Sequence, residues 1–239
     1  MQKKSLLFIA FLLVGGVGFY YFATHGRTLK TPAVPKKLSV EEAKETLDKI
    51  YAGISGFGIP EQEVKFIKKA GGAPTYGEIK FESAQKLLDY FKPTDKDVFY
   101  DLGSGVGKFV MHAYFTTDVK KSAGIELSGT RFEKSTQALY EAKKFNLFHP
   151  QRELIFHNED IINADLSDAT IIFMCATCYC DELMDKIIAK LMTIGHEVKI
   201  ATLREFKSHP GLKKVETLKL PMTWSEASPV YIYTVNAKK

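Results

Sequence analysis

The chain has 239 residues, 45% hydrophobic and 26% charged. That composition suits a folded core, excludes a disordered chain, and at roughly 100–200 residues per domain leaves room for one domain with an appendage. The net charge of +5 is too diffuse to single out nucleic acid or an anionic surface as a partner, and three cysteines in one short stretch, Cys175, Cys178 and Cys180, exclude a disulfide framework and suit a reducing compartment.

Lys3 and Lys4 precede an apolar run from Leu6 to Ala23. As a helix at about 1.5 Å per residue it would span about 27 Å, near the thickness of a bilayer core. Tyr20, Tyr21 and Phe22 fall where an aromatic belt would lie. The Ala-Thr-His-Gly that follows Phe22 is a poor cleavage site, so residues 1–24 are expected as an N-terminal transmembrane anchor, with a cleaved signal peptide as the alternative. Residues 25–38, with Pro32 and Pro35, read as a linker. Arg27, Lys30, Lys36 and Lys37 outnumber the lysines before the run, which leans to a single-pass membrane protein whose catalytic domain faces the cytoplasm.

Residues 39–239 read as the globular domain. Ser39-Val-Glu-Glu carries an N-cap signature and opens a helix to about Tyr51. Residues 53–60 read as a turn, Glu61 to Ala70 as a short helix broken by Gly71-Gly72, and Ile79 to Phe91 as a helix stopped by Lys92-Pro93. Strand-like runs follow at Val98–Leu102, Ala123–Leu127, Leu154–His157, Thr170–Cys175 and Val198–Leu203, with helices expected at Lys108–Thr116, Gly129–Phe145 and Asp181–Leu191. This alternation implies an α/β fold with a mostly parallel sheet covered on both faces. Val215–Leu220 and Val230–Val235, around a turn region from Pro221 to Pro229, predict a terminal antiparallel hairpin.

The chemistry concentrates at strand ends. In Val98-Phe-Tyr-Asp101-Leu-Gly103-Ser104-Gly105-Val-Gly107-Lys108 a strand ends in an aspartate and a glycine-spaced turn enters a helix. The spacing is G-x-G-x-G rather than the dinucleotide G-x-G-x-x-G, and Asp101 would repel a pyrophosphate. A carboxylate there suits an ammonium instead, such as the methionine half of S-adenosylmethionine (SAM). Glu126 ends the second strand, 19 residues after Gly107, where an acid can accept from both ribose hydroxyls. After the third strand, Asp160 can accept from an adenine amino group with Ile161 over the ring, or serve as a helix N-cap. The loop Phe173-Met-Cys175-Ala-Thr177-Cys178-Tyr179-Cys180 should line the reacting centre, because ligands of open α/β sheets sit at the carboxyl ends of the strands. Its cysteines lack the second pair of ligands that a structural zinc site needs, so no metal is expected.

Together these segments resemble the nucleosomal histone-lysine methyltransferases of the Dot-one type, over about Pro74 to Val235. The resemblance rests on Thr75-Tyr76-Gly77-Glu78, Asp101-Leu-Gly-Ser-Gly-Val-Gly107, Gly124-Ile-Glu126, Asp160-Ile161, and Met222-Thr-Trp224 with Pro229-Val-Tyr231-Ile-Tyr233. It implies a Rossmann-like class I methyltransferase fold and SAM as cofactor. Tyr76, Glu78, Asp101, Gly103, Ser104, Gly105, Gly107, Lys108, Glu126, Asp160 and Ile161 would hold that cofactor. Cys175, Thr177, Tyr179, Trp224 and Tyr231 would stand at the reacting centre, the aromatics among them being open to a plain packing role. It also implies a lysine of a protein substrate as acceptor. Apart from the resemblance, a monomeric catalytic domain with no assured nucleic-acid contact is expected. Two departures stand out: Cys175 and Ala176 replace the family's paired asparagines, and Lys108 its glutamine. Two other readings stay open, a small or lipid-soluble acceptor at the membrane and a non-catalytic SAM-binding module.

Overall fold

The structure is a computed structural model and describes residues 35–235. It opens with α1 (Val40–Ile50), whose N-terminus is closed by a reciprocal capping box: Glu42 N–H donates to Ser39 Oγ at 3.2 Å and Ser39 N–H to the Glu42 carboxylate at 2.8 Å. Ala43, Leu47 and Ile50 form its buried stripe. Then come α2 (Glu61–Lys69) and α3 (Phe81–Phe91). The latter stops where Lys92 turns left-handed (φ +50°) ahead of Pro93, which disfavours helical backbone before it.

The alternating part runs β1 (Val98–Leu102), α4 (Lys108–Thr116), β2 (Lys121–Glu126), α5 (Gly129–Lys143), β3 (Glu153–Asn158), β4 (Ile171–Met174), α6 (Asp181–Leu191) and β5 (Val198–Thr202). The hairpin β6 (Leu212–Met222) and β7 (Ser225–Val235) completes the sheet. The seven strands lie in the order β3-β2-β1-β4-β5-β7-β6, with β1 to β5 parallel and β7 antiparallel to both β5 and β6. Winding proceeds outward from β1 to β3, then restarts on the other side of β1 with β4. The β1/β4 boundary is therefore the topological switch, and the crevice above its carboxyl ends is where a ligand fits. All five residues of β1 and all four of β4 are buried, as expected of strands covered on both faces.

The hairpin is longer than its sequence suggests. Pro221 and Pro229 read as limits of a turn, yet both lie within strands, and the turn is only Thr223-Trp224. The β5 register ends at Tyr231, so Pro229 owes no donor on that side, and β6 is the sheet edge, where proline is tolerated.

The fold class expected from sequence needs one correction. No helix among the described residues is long and apolar enough to cross a membrane, so the described fold does not include the expected transmembrane helix. The run assigned to that helix, residues 1–24, and most of the linker at residues 25–38 lie outside the described residues.

Candidate active site

Asp101 stands in β1 between Gly124 of β2 and Phe173 of β4, at the switch point. The chain then hooks over β2, with the N–H groups of Gly103 and Ser104 both donating to the Ile125 carbonyl at 2.8 and 3.0 Å. Gly105 follows at φ +57°, a left-handed conformation that a side chain would strain. Its N–H donates to Glu126 Oε2 at 2.8 Å, and the Ser128 N–H donates to Glu126 Oε1 at 2.8 Å. The glycine turn thus fixes both oxygens of the carboxylate at the tip of the neighbouring strand. Asp101 and Glu126 are each more than nine-tenths buried. Burial first, and the Glu126 charge second, push the Asp101 carboxyl up to about 8. Burial also raises Glu126, opposed by its two backbone donors and by Arg131. Asp101 Oδ1 and Ser104 Oγ have no hydrogen-bond partner among the described residues. A buried carboxylate oxygen without a donor costs free energy that a cationic ligand group would recover.

Above these strand ends lies a cavity of about 280 Å³, near the lower end of the roughly 300–1,000 Å³ range of small-molecule sites. The segment after α2 forms its cover. Tyr76 O–H donates to Glu78 Oε1 at 2.6 Å and Lys108 Nζ donates to Glu78 Oε2 at 2.7 Å. Burial and the adjacent Glu78 carboxylate push the Tyr76 phenol well up, so it stays neutral. The Glu78 N–H donates to Thr223 Oγ1 and its carbonyl accepts from the Thr223 N–H, both at 3.0 Å, which ties the cover to the hairpin turn. Asp160, Ile161, Leu127, Ile67 and Leu183 are among the residues that line the cavity. The Asp160 carboxylate also accepts from the Ile162 N–H through Oδ1 at 2.9 Å, but within a turn: no helix starts at Asp160, so the N-cap alternative does not hold. Phe109, Phe173, Ile79, Cys175, Tyr179 and Trp224 line the cavity as well.

Most of the residues expected from sequence converge here. Tyr76, Glu78, Asp101, Gly103, Ser104, Gly105, Lys108, Glu126, Asp160, Ile161, Cys175, Thr177, Tyr179 and Trp224 all line the cavity. Two do not. Gly107 caps α4 at φ +87° and backs onto the Phe156 ring. Tyr231 sits in β7 opposite Thr202 and Thr217, with Lys214 Nζ 4.8 Å from its ring centre. Strand alternation turns Tyr231 toward the same side as Tyr233 and Val235, two strands away from the switch.

Three features went unread in the sequence. Tyr76 and Tyr179, rather than open space, lie against the glycine turn: a Cβ on Gly105 would come 2.7 Å from the Tyr76 ring, and one on Gly103 would meet the Tyr179 hydroxyl. Glu63 of α2 accepts from Thr130 N–H at 3.1 Å, Thr130 Oγ1 at 2.7 Å and Ser128 Oγ, and so joins α2 to the start of α5. Arg131, only 6% exposed, lines the cavity. The one available signal for Arg131 was positional: the first turn of the helix after the second strand lies beside that strand's carboxyl end.

Comparison with known proteins gives a consistent picture. The family described as "Histone methylation protein DOT1" matches residues 59–219. A Caenorhabditis elegans protein named as a histone-lysine N-methyltransferase specific for lysine 79 of H3 is 30% identical over 145 residues, covering 57% of this chain and 15% of the nematode protein. A Saccharolobus islandicus protein-lysine N-methyltransferase is 25% identical over 155 residues, covering 65% of this chain and 89% of its own. Among solved structures, an RNA methyltransferase from Salinibacter ruber in complex with S-adenosyl-L-homocysteine superimposes with a TM-score of 0.50 at 22% identity, covering 65% of this chain and 92% of its own. This last likeness bears on the fold alone.

Proposed function

The chain belongs to the DOT1 histone-methylation family, and on that premise we propose that it is a SAM-dependent protein-lysine N-methyltransferase. The observation that carries the reading is the buried Asp101 oxygen without a donor, beside Glu126 at the switch point. SAM fits these acceptors, because it brings an ammonium for Asp101 and ribose hydroxyls for Glu126.

When bound, SAM supplies a methyl group on a positively charged sulfur, open to direct displacement. Asp101 would anchor the ammonium by a charge-assisted hydrogen bond. Glu126, its oxygens already oriented by Gly105 and Ser128, would accept from the ribose. Asp160 would accept from the adenine amino group, and Ile161 and Leu127 would offer the ring apolar surface. Phe109, Phe173, Ile79 and Trp224 would give the acceptor apolar surroundings. A lysine has a pKa of about 10.4 in water, and such surroundings favour its neutral, nucleophilic form. Burial pushes the Cys175 thiol up to about 11 and the Tyr179 phenol higher, so both stay protonated and neither acts as a base. Rate enhancement then rests on holding the amine about 3–3.5 Å from the methyl carbon, in line with the leaving sulfur.

Cys175 and Ala176, standing where the Dot-one type carries asparagines, favour a second reading, a small-molecule acceptor. One experiment separates the readings. The full chain is incubated with tritium-methyl SAM and extract, proteins and small molecules are separated, and the proteins are hydrolysed. Label recovered as N-methyl-lysine supports the proposal. Label confined to small molecules supports the second reading, and SAM binding with no transfer at all would leave a binding module.

A further inference from the structure

Arg131 is the buried cation of this cavity that the reading above does not use. Its Nε donates to the Gly56 carbonyl at 3.1 Å and its Nη2 to the Pro74 carbonyl at 2.6 Å. Its guanidinium carbon lies 4.9 Å from the centre of the Tyr76 ring. One side chain on α5 therefore grips the two stretches that flank α2, residues 53–60 and 70–78. Tyr76 is enclosed on its other sides. Gly56 and Gly105 are so close to its ring that a Cβ on either would collide, and Phe57 packs edge-on at 5.2 Å. The Tyr76 hydroxyl in turn holds Glu78, which holds Lys108.

We propose that Arg131 is the positioning residue for the cofactor: it fixes Tyr76 in its glycine-walled slot and so sets the wall that Tyr76 and Glu78 present to the methionine half of SAM. Three features of the geometry support this. The guanidinium is planar and forked, so it reaches two carbonyls on separate loops while stacking on an aromatic face. It is buried, so neither carbonyl exchanges it for water at low cost. It sits on the helix that follows Glu126, so the ribose acceptor and the cover are referred to one rigid element. Glu63 adds a second tie between α2 and the start of α5. The cover is thus attached to α5 at one side and to Thr223 at the other.

The inference rests on SAM being the ligand, and the test keeps the two claims apart. The full chain, Arg131→Met and Arg131→Lys are compared by calorimetric titration with SAM and by amide hydrogen exchange without ligand. Arg131→Met is expected to bind SAM about ten-fold or more weakly, the loss of a charged hydrogen bond being of that order. Its exchange should rise in residues 53–60 and 70–78 while the sheet keeps its protection. Arg131→Lys keeps the cation but can reach only one carbonyl, and should recover part of the affinity. Wild-type affinity with unchanged loop exchange in Arg131→Met would overturn the inference, as would a rise spread evenly over β1, β2 and β4, which marks general destabilisation. Should the wild-type chain fail to bind SAM, the proposed function falls, and the exchange pattern alone still decides whether Arg131 holds the cover.

Discussion

Replacing Asp101 by asparagine should stabilise the free protein and weaken its ligand binding, two effects of opposite sign from one residue. An ordinary aspartate titrates near 3.8, and burial beside Glu126 moves this one up to about 8. Between those two values the folded protein keeps a proton that the unfolded chain has released. The contribution of this group to stability is therefore full below pH of about 4 and is lost as pH rises through about 8. At 1.36 kcal/mol per pH unit, the loss between pH 5 and pH 8 is at most about 4 kcal/mol, water drawn in beside the charge lowering it. An amide in place of this carboxyl does not titrate and would carry no such dependence. Urea unfolding without ligand should show Asp101→Asn gaining on the wild type by about 2–4 kcal/mol over that interval. Calorimetry should show SAM binding weakened by about ten- to a hundred-fold, from the loss of roughly 1.5–3 kcal/mol of charged hydrogen bonding. It should also show just under one proton released on binding to the wild type at pH 7, read from buffers of different ionisation enthalpy, and none from the variant. A pH-independent difference in stability, or equal affinity in both proteins, would refute the reasoning.

Other substitutions separate the roles of neighbouring residues. Glu126→Ala strands the Gly105 and Ser128 N–H groups, so unfolding should show about 2–6 kcal/mol of lost stability at roughly 1–3 kcal/mol per buried unsatisfied donor, with SAM affinity falling at least ten-fold by calorimetry. Gly105→Ala drives a Cβ to 2.7 Å from the Tyr76 ring at a left-handed backbone position; it should cost about 1–2 kcal/mol in urea unfolding and raise the SAM dissociation constant. Tyr231→Phe, outside the cavity, should leave SAM affinity and methyl-transfer rate unchanged, and a ten-fold drop in rate would return Tyr231 to the reacting centre. Glu63→Ala should lower the melting temperature by several degrees through about 1–2 kcal/mol of lost hydrogen bonding to Thr130 and Ser128.

The sequence revealed what depends on local backbone chemistry. The turn from Asp101 to Gly107 could be read because left-handed glycines and a strand-terminal acid leave few alternatives, and Glu126 followed from strand spacing alone. Lys92-Pro93 marked a helix end for the same local reason. What escaped depends on tertiary neighbours. Pro229 looked like a turn because nothing local says that β5 stops at Tyr231. The resemblance of its hairpin to the Dot-one type places Tyr231 at the reacting centre, whereas the length of the hairpin carries it two strands from the switch. Arg131 and Glu63 bind segments 57 to 75 residues away, and no periodicity reports such partners. Nor does anything local show that Tyr76 and Tyr179 pack against the glycine turn, a matter of loop packing that composition does not encode.

The most direct test is a crystal structure of the full chain with S-adenosylhomocysteine. The account predicts the ligand's ammonium within about 3 Å of Asp101 Oδ1, a charge-assisted hydrogen bond, and both ribose hydroxyls on Glu126, under a cover still gripped by Arg131. A ligand bound elsewhere, or an Asp101 oxygen left as solitary as it is now with the ligand in place, would contradict it.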